Sequence, residues 1–305
     1  MRTSFIAMLM ITVIAALPSG AAEPVPVKAI LVTGASTGIG RNVTEHLAAA
    51  GYFVYAGARK PADLEALGKL KNVQAIKLDV TKPDDIAGAV DTITKAGRGL
   101  YGLVNNAGIA TVGTATGTKF DEFDLLMKVN VYGPYRVTQA FAPLIIASKG
   151  RITTIGSIAG ILAPAPVSAY SMSKHAVEAY SDTLAGELEP QGVKVSVIEP
   201  GNYNSDLGKN ALQRTGIEGR MTDRSKYKQP DEVAAAVSLA LFEDSPKRRY
   251  MTTPNQEEAE RTVRKQIAQL VELNEGHAYT YDRDALVKML DEAMATARPK
   301  IPAAP

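Results

Sequence analysis

A tyrosine and a lysine four residues apart, with a serine upstream, can move a proton. Tyr170 and Lys174 lie in a stretch with helical spacing, which places both side chains on one helix face, and Ser157 precedes them. A phenol titrates near about 10 and exchanges protons poorly at neutral pH, but nearby positive charge favours the phenolate and lowers that value. Such a tyrosine can serve as general acid when a carbonyl is reduced and as general base in the reverse direction. The Ser157 hydroxyl would hold the oxygen on which charge develops. The spacing alone carries little weight. With 12 tyrosines and 34 lysines and arginines in the chain, Tyr55 with Arg59 and Tyr279 with Arg283 repeat it. Taken singly, Tyr170 reads equally well as a packing residue, Lys174 as a solvated helix residue and Ser157 as a turn residue; their position along the chain sets them apart.

The second chemical signal lies near the start of the globular part. Thr33-Gly34-Ala35-Ser36-Thr37-Gly38-Ile39-Gly40 runs straight from a short apolar segment into a helical pattern. Gly34, Gly38 and Gly40 let the backbone turn sharply and approach a pyrophosphate, whose charge is favoured at a helix N-terminus. Ser36, Thr37 and Ile39 belong to the same cradle. A plain strand-to-helix turn is the competing reading, and the place of the loop between a strand and a helix favours phosphate.

These residues must be held by regular elements. Short β-branched runs at residues 28–33, 53–57, 73–78, 100–105, 151–156, 193–199 and 248–252 alternate with helical patterns such as Val43, Leu47 and Ala50. Continuously apolar runs such as Ala29-Ile30-Leu31-Val32 suit strands covered on both faces. The expectation is an α/β fold: one Rossmann-type, doubly wound parallel sheet of about seven strands over residues 27–253. A helical C-terminal extension follows over residues 254–305, with helical patterns at 258–273 and 283–297. Residues 201–229 are polar, glycine-punctuated and weak in periodicity, and read as a long mobile insertion of the kind that is usually functional.

Composition narrows the chemistry. The chain of 305 residues is 46% hydrophobic and 22% charged with a net charge of +2, a balance that suits a soluble core and offers no nucleic-acid stripe. The longest basic run, Lys247-Arg248-Arg249, reads as a solvated turn. Cysteine is absent, which excludes thiolate catalysis and disulfides, and His46, His175 and His277 lack metal-ligand spacing, so no metal site is expected. Residues 1–26 stand apart: Arg2, an apolar run from Phe5 to Leu17, then Pro18-Ser19-Gly20-Ala21-Ala22. That is the pattern of a secretory signal peptide, implying export to the periplasm. A retained membrane anchor and a start codon assigned too early, which would leave the protein cytoplasmic, are the alternatives.

The motifs together resemble the short-chain dehydrogenase/reductase family, with hydroxysteroid and retinol dehydrogenases as similar members. The resemblance is carried by Thr33-Gly-x-x-x-Gly-Ile-Gly40, Asn105-Asn106-Ala107-Gly108, Asn130 in Lys-Val-Asn-Val, Ser157 followed by Tyr170-x-x-x-Lys174, and Pro200-Gly201. It covers roughly residues 27–252. It implies that Ser157, Tyr170, Lys174 and Asn130 are catalytic, with Lys174 also holding the nicotinamide ribose and Asn130 anchoring a water that links Lys174 to solvent. By the same resemblance Asn105, Ala107, Gly108, Pro200 and Gly201 contact the cofactor and Asp79 contacts its adenine; Asp79 is equally a helix-capping carboxylate. Ser205 stands where many members carry threonine, and the leader is unusual for such a family.

The end of the second expected strand reads Tyr55-Ala56-Gly57-Ala58-Arg59-Lys60, without the acid that NAD-preferring enzymes use on the ribose hydroxyl. Arg59 can pair with the ribose phosphate, so NADP(H) is expected over NAD(H). The resemblance implies a small alcohol or carbonyl substrate and a homodimer or homotetramer paired through helices at 119–147 and 168–189. The strand at 53–59 and the long tail resemble members acting on hydroxysteroids and retinol, which implies a lipophilic alcohol or ketone, and a pocket without Arg or Lys near the catalytic turn would support it. A catalytically silent nucleotide sensor and an exported partner-binding protein are the competing functions. The intact catalytic set argues against the first and the complete glycine loop against the second.

Overall fold

The computed structural model describes residues 27–216 and 224–296. The leader at residues 1–26 and the C-terminal end from residue 297 lie outside the described residues. In chain order the elements are β1 (Ala29–Thr33), α1 (Gly38–Ala49), β2 (Phe53–Ala58), α2 (Pro61–Gly68), β3 (Val73–Lys77), α3 (Pro83–Ala96) and β4 (Gly102–Asn105). Then come α4 (Phe120–Met127), α5 (Gly133–Ala147), β5 (Arg151–Ile155), the single turn α6 (Ala159–Leu162), α7 (Ser168–Leu188), β6 (Lys194–Pro200) and α8 (Leu207–Thr215). The remainder is α9 (Asp231–Phe242), β7 (Arg249–Thr252), α10 (Gln256–Asn274) and α11 (Arg283–Thr296). Every strand pairing is parallel, in the order β3-β2-β1-β4-β5-β6-β7. The seven-stranded parallel sheet with helices on both faces is the Rossmann-type architecture expected from the alternation of runs.

Side chains alternate across the sheet and divide the core in two. Leu31, Tyr55 and Leu103 point to a face covered by α3, α5 and α7, where Ile86, Val137, Phe141 and Leu184 complete the packing. Ile30, Val32 and Val104 point to the other face, covered by α1 and α9, against Val43, Leu47, Val233 and Leu241. Burying each such aliphatic side chain contributes about 1.5–3 kcal/mol, which is why these strands carry apolar residues at successive positions. Local signals fix the helix ends. α3 begins with Pro83 and carries Asp84 and Asp85 in its first turn, where they complement the helix dipole, and Gly97 closes it at φ 67°.

Three features differ from the sequence reading. The helix expected over 119–147 is interrupted by a π-helical segment, Lys128–Tyr132. The stretch 201–229 contains α8, whose short apolar pattern of Leu207 and Ala211 is too brief to stand out; residues 217–223 lie outside the described residues. Arg249 opens β7 within the strand expected at 248–252, but unlike a free member of a solvated basic run it is ion-paired, to Asp182 at 2.6 Å and to Glu178 at 3.2 Å. Among the described residues no helix is long and apolar enough to cross a membrane.

Candidate active site

β1 and β4 are neighbours although β2 and β3 lie between them in sequence. Ligands of open α/β sheets bind where the strand order reverses, beyond the carboxyl ends of the strands. A cleft of about 750 Å³ opens there. Its floor joins the loops after β1 and β4. Thr33 Oγ1 accepts hydrogen bonds from the Asn106 and Ala107 amides, each at 3.0 Å, and the Asn106 side-chain amide donates to the carbonyls of Thr33 (2.9 Å) and Gly34 (3.0 Å). Glycine is required at two points. Gly34 has φ 65°, and a Cβ at Gly40 would collide with the Gly34 carbonyl and the Asn106 amide. α1 then starts at Gly38 with no side-chain cap and no acidic residue in its first turn, leaving its N–H groups free for an anion.

At one end of the cradle, Arg59 and Lys60 follow β2 and Asp79 follows β3. Asp79 Oδ1 accepts from the Thr81 amide and hydroxyl, and its other oxygen lies 4.0 Å from Arg59. Asp79 is thus a local turn former that also faces the cleft. At the opposite end stand Ser157, Tyr170 and Lys174. Ser157, in the turn after β5, accepts from the Ala159 amide at 3.1 Å and donates to the Pro200 carbonyl at 3.4 Å, and it lines the cleft with Tyr170. Lys174 Nζ donates to the Ile155 carbonyl at 2.7 Å and lies 5.6 Å from the Tyr170 ring centre.

Burial governs the protonation of this pair. It lowers the Lys174 ammonium to about 8, against the opposing charge of Glu178. It also raises the Tyr170 phenol, outweighing the lowering effects of the nearby Ser157 hydroxyl and of the Arg224 charge. The sequence argument has Lys174 depressing the phenol. Here the ammonium is engaged on a backbone carbonyl and desolvation dominates, so Tyr170 rests as a neutral phenol.

All the expected site residues line this cleft except two. Asn105, expected on the cofactor, is the last residue of β4 and is 2% exposed; its amide donates to Thr138 on α5 at 2.9 Å, and Asn106 faces the cleft instead. Asn130, in the π-helical segment, is buried behind the cleft. It brackets Ile109 with two hydrogen bonds, accepting at 2.8 Å and donating at 2.9 Å, and donates at 3.0 Å to Ser173, whose hydroxyl in turn donates to the Tyr170 carbonyl. A π-helical segment often marks a functional position.

Sequence reasoning missed Thr33 and Asn106 as the clamp, and it missed Arg224. The tandem asparagines after a strand were the available signal for the first pair. Arg224 lies in the stretch without visible periodicity, yet it is 8% exposed, lines the cleft and bears on the charge of Tyr170. Lys209, Arg214 and Arg261 line the cleft as well, so the cation-free pocket that would favour a lipophilic substrate is not what the structure contains. Of the loop residues, Leu207 and Tyr203 both line the cleft, with the Tyr203 hydroxyl donating to Glu232 and its ring joining the core.

The family model described as short chain dehydrogenase matches residues 28–216, well over half of the chain. The chain belongs to this family. Among short chain dehydrogenases, mitochondrial D-beta-hydroxybutyrate dehydrogenase of Bos taurus is 40% identical over 191 residues, which are 59% of this chain and 56% of the relative. Human 11-beta-hydroxysteroid dehydrogenase type 2 is 36% identical over 201 residues, 62% of this chain and 49% of the relative. The matched region thus spans about half the length of both relatives. The crystal structure of a short-chain dehydrogenase from Streptomyces avermitilis superposes with a TM-score of 0.70 at 28% identity, covering 89% of this chain and 98% of that one.

Proposed function

We propose that this short chain dehydrogenase is an NADP(H)-dependent oxidoreductase that interconverts an alcohol and a ketone or aldehyde. One observation carries the reading: Tyr170, Ser157 and Lys174 come together in the same cleft as an uncapped helix N-terminus and a glycine cradle. The donor set fits a dinucleotide. The free N–H groups of α1 and the glycines at 34, 38 and 40 suit the diphosphate, with Ser36, Thr37 and Ile39 between them. Arg59, with Lys60 beside it and no acid at the end of β2, suits the ribose phosphate of NADP; Asp79 faces the adenine end. Ala107, Gly108, Pro200 and Gly201 line the path to the reacting end, where Lys174 and Tyr170 would hold the nicotinamide ribose.

A nicotinamide cofactor held in the cradle would supply the hydride chemistry. The protein supplies the rest. Tyr170, kept neutral by burial, gives its proton to the carbonyl oxygen, and Ser157 donates a hydrogen bond to the same oxygen as charge grows there. Run backwards, the phenolate takes the proton from the alcohol. That direction benefits from the Lys174 ammonium, which is half protonated near its value of about 8. Asn130 positions this apparatus through Ser173 and the Tyr170 carbonyl.

The test follows NADPH and NADH oxidation by the full chain against ketones, aldehydes, steroids and retinal, beside Tyr170→Phe. The variant should bind NADPH as the parent does and lose turnover by ~10²–10⁴-fold, the usual contribution of a positioned acid. If neither protein binds a nucleotide, the reading fails. We further propose a homodimer or homotetramer formed through α5 and α7. Tyr135 and Met172 on those helices are 53% and 54% exposed, and a monomeric mass in light scattering at micromolar concentration would refute it. The leader at residues 1–26 we read as an export or anchoring segment on its sequence pattern, to be checked by the size and compartment of the band in fractionated cells.

A further inference from the structure

Buried cations need compensation, because taking a guanidinium out of water is expensive unless an anion or a full set of acceptors replaces it. The cleft cations differ in this respect. Arg214 is held by Glu122 at 2.8 Å and by the Ala110 carbonyl, Lys174 by the Ile155 carbonyl, and Arg59 lies beside Asp79. Arg224 is different. It is more than nine-tenths buried, its Nε is buried without a hydrogen-bond partner, and among the described residues no carboxylate lies within ion-pair distance of it. Its Nη2 makes one long bond, 3.3 Å, to Asn202 Oδ1.

Asn202 is itself fixed. Its backbone amide and side-chain amide both donate to Glu258 on α10, each at 2.9 Å. That leaves its Oδ1 to orient the guanidinium, while the Glu258 carboxylate bonds Asn202 and makes no ion pair with Arg224. The arrangement holds a positive fork in place without neutralising it.

We propose that Arg224 is a carboxylate-binding residue and that the substrates of this cleft are hydroxy acids and the corresponding oxo acids. The inference rests on the oxidoreductase reading of the same cleft. The guanidinium matches a carboxylate bidentately, a recognition that a lysine could not reproduce. Its charge is felt at the Tyr170 hydroxyl, which places it at the reacting end of the cleft, whereas Arg59 and Lys60 stand at the other end. Leu162, Val167 and Leu207 also line the cleft and suit the hydrocarbon body of an acid.

The experiment uses the full chain, Arg224→Met and Arg224→Lys. Each is assayed for NADPH-dependent reduction of oxo acids with the carbonyl alpha, beta or gamma to the carboxylate, and of their methyl esters. NADPH affinity is read separately from cofactor fluorescence, and stabilisation by each acid and ester from thermal shifts in the presence of NADPH. The parent should prefer at least one acid over its ester by ~10–100-fold in kcat/KM, the range expected for a hydrogen-bonded charge pair. R224M should collapse that ratio with NADPH affinity preserved, and R224K should fall between. The ratio cancels any effect of the lost charge on Tyr170, since acid and ester share that step. Esters reduced as well as acids by the parent would overturn the proposal. So would an R224M variant that weakens NADPH binding and leaves the ratio intact, because the arginine would then serve the nucleotide. If no carbonyl is turned over, the oxidoreductase reading is at fault, and acid-specific thermal stabilisation lost in R224M still decides the carboxylate site on its own.

Discussion

At the scale of single residues, the environment of each group settles its chemistry more than its type does. Arg59 is the sharpest case. Its side chain is 62% exposed and sits 4.0 Å from Asp79, so its contribution depends on the ligand it meets. Arg59→Glu would replace a phosphate partner by a repelling charge and restore the ribose-binding acid that the end of β2 lacks. We expect NADPH affinity to fall about tenfold, a modest loss for a charge-assisted bond at an exposed site, while NADH affinity holds or improves. Titrating both nucleotides by fluorescence checks this, and an unchanged ratio of the two dissociation constants would remove Arg59 from the site. The motif residues Ser157, Tyr170 and Lys174 were legible because they belong to strand ends and one helix face. Arg224 was not, because its partner Asn202 is itself held by Glu258 on a distant helix, and neither leaves a mark near position 224. Asn105 and Asn106 could not be told apart without the strand register, since the last strand residue turns inward and the next one turns back over β1.

At the scale of elements, the cradle is a close contact between two loops with no room for a side chain. Gly40→Ala would push a methyl group into the Gly34 carbonyl and the Asn106 amide. Since both belong to the clamp between β1 and β4, neither can yield without breaking it. The expected result is a destabilisation of ~1–3 kcal/mol, as for overpacking elsewhere, read as a lower urea midpoint, together with weakened NADPH binding. A variant with parental midpoint and affinity would show that the contact can relax. The sheet order could be anticipated from alternating runs and glycine punctuation. The π-helical segment at 128–132 and α8 could not: the first inserts into an unbroken apolar pattern, and the second buries only Gly208 and Ala211 along its length.

At the scale of the whole molecule, a buried carboxyl pair makes stability depend on pH. Glu178 on α7 and Glu199 on β6 lie together under Arg249, with Asp182 beside them. Burial and the charge of Glu178 push Glu199 up to about 8, so the pair shares a proton. The folded state then holds a proton that the unfolded chain releases near 4.5, and stability falls as pH rises from about 4.5 to about 8. Glu199→Gln keeps a donor for Glu178 and removes the titration. Its melting temperature should exceed that of the parent above pH 8, with a flatter slope below, and parallel curves for the two proteins would show that the pair carries no such linkage. Nothing in the spacing of positions 178, 199 and 249 announces this cluster, because only the packing of α7 beside β6 and β7 brings them together.

The clamp between Thr33 and Asn106 joins positions 73 residues apart. The β2 and β3 units emerge between them and pair on the other side of β1. A ribosome-bound chain that has extruded everything through β3 therefore owns the whole glycine loop yet has no finished cradle. Nucleotide capture has to wait for β4 to dock, which makes it a late reporter of folding and sets a long-range contact, slow to close, ahead of the first cofactor bound.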